Sequence, residues 1–292
     1  MNGNGCWDQQ DLTELLTLEP VGERGWRSYV NEGNTNGRVF GGQLLGQALW
    51  AASRTAQGRS PAMLQMTFLQ GARPQQVMEY SIDALQDGRR LATRHIYGVQ
   101  NTGLIVSANA SFQSLPAEPV PGQYWASPAP EPEGLPGLAQ LAERYPNTAD
   151  GVQARWHARP FLDIRPVAAG DYMASRPPGS EVAHWIRLRQ PLSDEGALQH
   201  AALAYLSDTW LHAGMAPSLG LLQLWQDCYC SSLNHTLWFH QPSINANDWL
   251  LFVCQWVPGA AGRHLVTAHI YQRDGLRVAS MAQDVLVSPR GS

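Results

Sequence analysis

An internal repeat is the feature that most restricts how this chain can fold. Residues 88–97 (GRRLATRHIY) align without gaps with residues 262–271 (GRHLVTAHIY), and seven of the ten positions are identical. Each block is followed by a glycine-containing turn and a second apolar run, at 103–108 and 275–280. Strand, turn and strand in this order predict an antiparallel hairpin. Because the same hairpin ends both halves of the chain, we infer a tandem duplication of one domain.

The region between the repeats separates two predicted domains. Nine of the twenty prolines fall between Pro116 and Pro160, and residues 114–136 show little apolar periodicity. Such a composition is typical of a linker. A chain of 292 residues is long enough for two domains of ordinary size. We therefore predict an N-terminal domain over 1–113, a proline-rich linker over 114–159 and a C-terminal domain over 160–292.

Each half contains one apolar helical segment and several candidate strands. Residues 39–52 and 198–212 are apolar nearly all round and rich in small residues, which is typical of helices buried on several sides. Strands are predicted around these helices, at 63–68, 80–85, 184–189, 237–240 and 249–256. One buried helix per half, surrounded by antiparallel strands, indicates an α+β fold.

The composition excludes several classes of function. The chain has twenty arginines and no lysine, so Schiff-base chemistry, P-loop nucleotide binding and Ser–Lys hydrolysis lack their essential residue. A net charge of −4 without a basic run argues against binding to nucleic acid. The chain lacks the G-x-S-x-G motif of serine hydrolases, the HExxH motif of zinc enzymes and a dinucleotide-binding fingerprint. We therefore expect neither a metal nor a cofactor.

The cysteines and the N-terminal sequence favour a cytoplasmic protein. Cys6, Cys228, Cys230 and Cys254 lack the spacing of a zinc site, and we interpret them as free thiols of a reducing compartment. The first residues lack the charged and apolar regions of a signal peptide. No stretch approaches 18 uncharged apolar residues, so no membrane span is predicted.

Several motifs resemble those of the acyl-CoA thioesterase II family. They are RVFGGQLLGQAL at 38–49, NASFQ at 109–113, LSD at 206–208, NHTLWFHQP at 234–242 and AQD at 282–284. The resemblance follows nearly the whole chain in order, but LQGA at 69–72 departs from the Leu-Arg-Pro-Gly run of the family. It implies a double hotdog, two tandem hotdog folds that each place a long helix in a curled antiparallel sheet. Since hotdog sheets expose an edge strand, we also expect a homo-oligomer, a dimer or higher.

The same resemblance implies a substrate and a set of site residues. Members of the family hydrolyse fatty acyl-CoA with an Asp, a Ser or Thr, and a Gln, which correspond here to Asp208, Ser232 and Gln283. A carboxylate can accept the proton of an attacking water, and a hydroxyl and an amide can fix the position of that water. No covalent intermediate is required. Ser231 and Thr236 are alternative sources of the hydroxyl.

Other interpretations of these residues remain open at this point. Asp208 lies in an apolar segment, where a structural hydrogen bond would explain it as well as chemistry. Asp208 and His212 are spaced four residues apart, as in the acid/base pair of a hotdog hydratase, although the Asn-Pro that such enzymes place between them is absent. A third alternative is an acyl-CoA-binding module without catalysis, which needs only a cleft.

Alignment of the two halves predicts one functional site in each chain. It places Gln47 at the position of Asp208 and Ser111 at the position of Gln283, so the first half lacks the carboxylate. We expect a site formed mainly by the second half, with the first half as its structural mate.

Overall fold

The structure, a computed structural model, describes residues 5–28, 30–101, 103–114, 122, 124, 129–146, 159–168, 177, 179–209 and 228–289. The first half contains β1 (Gly5–Cys6), α1 (Leu12–Leu16), β2 (Glu19–Pro20), β3 (Gly25–Ser28), β4 (Val30–Asn31), α2 (Gly41–Thr55), β5 (Ser60–Phe68), β6 (Met78–Asp87), β7 (Leu91–Gln100) and β8 (Gly103–Gln113). The rest contains a 3₁₀ turn (Pro132–Gly134), α3 (Leu138–Arg144), β9 (Leu162–Pro166), β10 (Glu181–Leu188), α4 (Gly196–Ser207), β11 (Cys228–Phe239), β12 (Leu250–Pro258), β13 (Arg263–Gln272) and β14 (Arg277–Pro289).

One continuous antiparallel sheet of twelve strands joins the two halves. Its strand order is β2-β3-β6-β7-β8-β5-β11-β14-β13-β12-β10-β9, and the halves meet where β5 pairs with β11, with Leu64 opposite Leu237. The repeated blocks form β7 and β13, which pair with the following strands β8 and β14, so both predicted hairpins are confirmed. Along β7 and β8 buried and exposed side chains alternate, because one face of the sheet covers the core.

The two long helices, α2 and α4, pack against each other in antiparallel directions. A Cβ atom at Gly42 would lie 2.5 Å from the Tyr205 carbonyl oxygen, and one at Gly46 would lie 2.9 Å from the Ala201 carbonyl oxygen. The glycines of the FGGQLLG segment therefore allow the two helix backbones to approach closely. Both helices are buried along most of their length, as their apolar composition predicts.

Two elements differ from the sequence-based prediction. Helix α4 ends at Ser207, and Asp208 is its C-terminal cap with φ −96° and ψ −2°, whereas the apolar pattern predicts a helix that continues to 212. Residues 210–212 lie outside the described residues. The predicted linker contains the 3₁₀ turn and α3, whose Leu141 is buried. Among the described helices, none has both the length and the apolar composition needed to cross a membrane.

Candidate active site

A cleft of about 610 Å³ opens at the N-terminus of α2. Both halves contribute to its wall: Gly41 and Phe68 come from the first half, whereas Asp208 and Ser232 come from the second. The cleft thus contains two of the three predicted site residues and the start of the FGGQ motif. A concave site of this size can enclose part of a small-molecule substrate.

The Asp208 carboxylate lies directly against the first turn of α2. Hydrogen bonding with the Gly42 backbone N–H and the Gln283 side chain lowers the pKa of this carboxyl group, and Asp208 is 8% exposed. A Cβ atom at Gly41 would lie 2.6 Å from Asp208 Oδ2, so only glycine leaves room for the carboxylate at this position. The first N–H groups of a helix lack partners within it and carry a partial positive charge, which favours an anion here.

The environment of Asp208 shifts its ionisation toward neutral pH. Burial raises the pKa of the carboxyl from 3.8 to about 7, and the negative charge of Glu32 acts in the same direction. Hydrogen bonds from Gln283 and Gly42, together with the positive charge of Arg159, oppose this rise. A carboxyl group with a pKa near neutrality can both accept and return a proton during a reaction. Asp208 therefore has the properties of a general base.

Ser232 faces the cleft because of a β-bulge in β11. Residues 232 and 235 are three positions apart, so a regular strand would place their side chains on opposite faces. The pairing of β11 with β14 shifts register between Ser232 and Asn234, with Leu233 as the extra residue. The bulge turns Ser232 to the face that carries the buried His235. The Ser232 hydroxyl oxygen then accepts a hydrogen bond from Gln283 Nε2.

Gln283 lies behind the cleft wall and connects the other two predicted residues. Its side chain is fully buried, and it donates both to Ser232 Oγ and to the Asp208 carboxylate. Its Oε1 lies 2.8 Å from Nδ1 of His235, its pairing partner on β11. The structure therefore brings Asp208, Ser232 and Gln283 together, with Gln283 in contact with both of the others.

The alternative residues are placed differently. Ser231 is exposed and also lines the cleft. Thr236 lies between the buried residues His235 and Leu237, so strand alternation points it to the outer face of the sheet. His212, the partner of Asp208 in the hydratase interpretation, lies outside the described residues. In the described ranges, no three His, Cys, Asp or Glu side chains are grouped closely enough to hold a metal ion.

A buried ion pair crosses the cleft wall from one half to the other. Arg159 Nε donates to Glu32 Oε1 over 3.0 Å, and the Tyr205 hydroxyl donates to Glu32 Oε2 over 2.6 Å. Glu32 is 2% exposed. The guanidinium also lies over the Phe40 ring, 3.9 Å from its centroid. Sequence reasoning missed this cluster because Arg159 and Glu32 are 127 positions apart and neither has a motif of its own.

The register corrects the predicted equivalence between Ser111 and Gln283. Gln283 pairs with Val266, which aligns with Ala92 in the repeat, and Ala92 pairs with Phe112. Phe112, not Ser111, therefore occupies the position equivalent to Gln283. The sequence alignment is wrong by one residue because it matches Gly103 with Gly275 across turns of different length; each hairpin has one single-residue bulge in its second strand, so the bulges do not cause the offset.

At the opposite end of the helix pair, the described residues lack the polar side chains of this site. There, Phe112 and the buried Pro61 replace Gln283 and His235, and neither can offer a side-chain hydrogen bond. Arg54 near the end of α2 pairs with Glu195 before α4 over 2.7 Å. Gln47 lies in the core of the first half, where its Oε1 accepts a hydrogen bond from the Tyr80 hydroxyl over 2.8 Å. One functional site per chain stays a prediction.

Two family profiles match the chain in sequence order. The profile described as "Acyl-CoA thioesterase N-terminal domain" matches residues 31–113, and that described as "Acyl-CoA thioesterase C-terminal domain" matches residues 121–287. Acyl-coenzyme A thioesterase 8 of Homo sapiens is 27% identical over 314 residues, covering 98% of this chain and 94% of that protein. Acyl-CoA thioesterase 2 of Haemophilus influenzae is 25% identical over 287 residues, covering 95% and 96%.

Solved structures resemble the chain over almost its full length. The acyl-CoA thioesterase II TesB2 from Mycobacterium marinum has a TM-score of 0.76 and 26% identity, covering 96% of this chain and 98% of that one. A protein of unknown function with a hot dog fold from Alicyclobacillus acidocaldarius has a TM-score of 0.75 at 18% identity, covering 94% and 97%. The expected fold, two tandem hotdogs, is confirmed.

Proposed function

The chain belongs to the acyl-CoA thioesterase family and is an acyl-CoA hydrolase, and we propose that Asp208 activates the water for this reaction. The observation that carries the proposal is the Asp208 carboxylate, which is buried at the helix N-terminus of α2 and lies on the cleft wall beside Ser232. Gln283 fixes both side chains through its amide N–H groups.

In the proposed reaction, water attacks the thioester carbonyl while Asp208 accepts its proton. The Ser232 hydroxyl holds the water in line with the carbonyl carbon, which supplies the orientation that the reaction requires. The tetrahedral intermediate then releases CoA as the carbon–sulfur bond breaks, and Asp208 returns the proton to the departing thiolate. The products are a free fatty acid and CoA, and no acyl-enzyme forms.

The N-terminus of α2 is suited to stabilise the developing oxyanion. The Gly42 N–H is occupied by Asp208, whereas Gly41 lies on the cleft wall one residue earlier in the same first turn. The N-cap residue itself, Phe40, makes no side-chain hydrogen bond to this helix end. A preorganised backbone donor at a helix N-terminus stabilises negative charge that develops only in the transition state. We assign this role to the Gly41 N–H.

Arg38 is the proposed contact for the phosphate groups of CoA. Arginines 38 and 159 are the cations among the described residues that line the cleft. Arg159 is paired with Glu32, whereas Arg38 is exposed at the wall and has no ion pair among the described residues. Its Nη1 lies 3.5 Å from the Gly71 carbonyl oxygen. A free guanidinium suits a phosphate group.

A comparison of two substrates tests this contact. We expect Arg38→Gln to raise KM for an acyl-CoA by about tenfold and to leave KM unchanged for the same acyl group on N-acetylcysteamine, which lacks phosphates. Arg89→Gln, at an exposed hairpin position outside the cleft, is the control. An equal rise for both substrates would contradict the phosphate contact.

Release of free thiol tests the activity itself. We expect hydrolysis of acyl-CoA at some chain lengths between acetyl and palmitoyl, and loss of about 10²–10⁴ in rate in Asp208→Asn, which removes the base at nearly constant shape. A rate within a few-fold of the unmodified protein would place the base elsewhere. No release at any chain length would favour the hydratase or the binding module.

We also propose a cytoplasmic location, a homo-oligomeric assembly and limits for the two domains. The free thiol of Cys254, which is buried, supports a cytoplasmic protein, and fractionation of the cells that express it tests this. We propose that the chain forms a homo-oligomer, and that its two domains cover 1–113 and 160–292. Limited proteolysis should then cut first between 114 and 159.

A further inference from the structure

A closed set of buried contacts lies behind the cleft. His235 is fully buried, and its Nδ1 lies 2.8 Å from Gln283 Oε1. Its Nε2 lies 2.9 Å from Ser207 Oγ. Ser207 directly precedes Asp208 in the chain, and Gln283 donates to the Asp208 carboxylate. The contacts thus run from Ser207, the neighbour of Asp208 in the chain, through His235 to Gln283, and from Gln283 back to Asp208.

The hydrogen positions in this set follow from its chemistry. An amide oxygen only accepts, so His235 Nδ1 must carry a proton. Burial lowers the pKa of His235 to about 4, so the imidazole is neutral at pH 7 and its Nε2 accepts. The Ser207 hydroxyl is the donor within reach, although the Ala204 carbonyl oxygen lies 2.7 Å away and competes for its proton. A buried ring nitrogen without a donor would be costly, which favours donation to His235.

The orientation of the Gln283 amide depends on this arrangement. With Oε1 against His235, Nε2 points toward Ser232 and Asp208, which both accept. If the amide turned by 180°, its oxygen would face the Asp208 carboxylate and its N–H groups would face the proton on His235. Both contacts would be repulsive. The proton on His235 Nδ1 therefore determines which end of the Gln283 amide faces the cleft.

We propose that His235 and Ser207 are positioning residues that hold the Gln283 amide with its N–H groups toward Asp208 and Ser232. This inference rests on the proposed function, because an amide orientation matters for rate only if Asp208 and Ser232 act on water. His235 and Ser207 do not touch the substrate in this proposal. They act through Gln283, so their loss should lower kcat and leave KM nearly unchanged.

The pH profile distinguishes this role from simple core packing. The Gln283 hydrogen bond lowers the pKa of Asp208, as does the nearby charge of Arg159, whereas the charge of Glu32 raises it. These two charged residues stay in place when His235 is replaced. Loss of the amide orientation alone should therefore move the midpoint of the rate profile to higher pH. A loss of core packing alone would not move this midpoint.

The main experiment compares two substitutions of His235 in the full chain. His235→Phe keeps an aromatic ring but removes both nitrogens, and we expect kcat to fall by about 10–100-fold with a higher pH midpoint. His235→Asn can place its amide nitrogen where Nδ1 lies, so it should recover most of the lost rate. Ser207→Ala removes the donor to Nε2 and should lower kcat by about 3–10-fold.

Two controls separate this inference from its alternatives. His184→Phe replaces another buried histidine of the second half, on β10 and stacked on Phe252, and should leave kcat and the pH midpoint unchanged. Asp208→Asn tests the proposed function itself. If Asp208→Asn is inactive but His235→Phe is as active as His184→Phe, or His235→Asn is as poor as His235→Phe, the positioning role is wrong. An active Asp208→Asn would instead remove the proposed function. If His235→Phe does not fold, His235→Asn and Ser207→Ala decide the question.

Discussion

At the scale of single residues, the burial of Asp208 sets the pH range of activity. Its pKa is raised to about 7, mainly because the carboxyl is buried. The protonated acid cannot accept a proton from water, so we expect kcat/KM to fall about tenfold per pH unit below a midpoint near pH 7. Initial rates of thiol release between pH 5 and 9 measure this. A flat profile down to pH 5 would show that the acting base has an ordinary carboxyl pKa.

The same residue should reduce the stability of the fold above neutral pH. The pKa of Asp208 is higher in the folded protein, about 7, than its ordinary value of 3.8. The folded state therefore binds this proton more tightly, and stability falls as pH rises from about 4 to about 7. We expect Asp208→Asn to raise the free energy of unfolding by roughly 1–3 kcal/mol at pH 8 and to change it little at pH 4. Urea denaturation at both pH values provides the comparison; equal gains at both would contradict this origin.

The sequence motifs indicate the three proposed site residues but not the contacts that orient them. Asp208, Ser232 and Gln283 come together as expected. The bulge at Leu233 that turns Ser232 inward has no signal in the alternation of side chains. His235 and Ser207 lie inside the NHTLWFHQP and LSD motifs, and their position within those motifs was the available signal.

At the scale of secondary structure, the start of α2 must leave space for the carboxylate at the end of α4. A Cβ at Gly41 would lie 2.6 Å from Asp208 Oδ2, the end of a side chain that can move. We therefore expect Gly41→Ala to keep the fold while it displaces the carboxylate and lowers kcat by about 10²-fold. Gly196→Ala is the matched control, because Gly196 begins α4 and a Cβ there meets no atom within 4 Å. Similar activity in both variants would contradict the steric argument.

The observed strands are longer than the predicted ones, and β11 shows the physical reason. β11 begins at Cys228, nine residues before the predicted start at Leu237. Its first part has polar side chains because one face lines the cleft, so the apolar alternation that predicts a strand is missing there. The prediction for α4 has the opposite error, because it extends the helix to 212. In the sequence, residues 209–212 continue the apolar pattern past Asp208, the residue that caps the helix.

At the scale of the whole molecule, the outer face of the sheet predicts self-association. Trp238 is 43% exposed near the middle of this face, between Met63 on β5 and Ser280 on β14. An exposed aromatic side chain in the middle of a sheet is typical of a contact surface. We expect light scattering to give a mass of at least twice the 32.1 kDa of the chain, and Trp238→Glu to reduce it to one chain.

Leu85→Glu provides a control for the effect of an added charge. Leu85 is 60% exposed toward the end of β6, away from the middle of the sheet. The substitution should leave the mass unchanged. A mass of 32.1 kDa for the unmodified protein at working concentration would contradict the expected oligomer.

The presence of both halves in one chain also changes which substitutions the protein can tolerate. In an assembly of two identical single-domain chains, every substitution occurs twice, so a residue that improved one site would be forced on the other. A fused pair has no such restriction. Pro61 and Phe112 can close one end of the helix pair while His235 and Gln283 equip the other. Covalent linkage thus lets the two halves vary independently, so the end that carries Pro61 and Phe112 can serve stability alone.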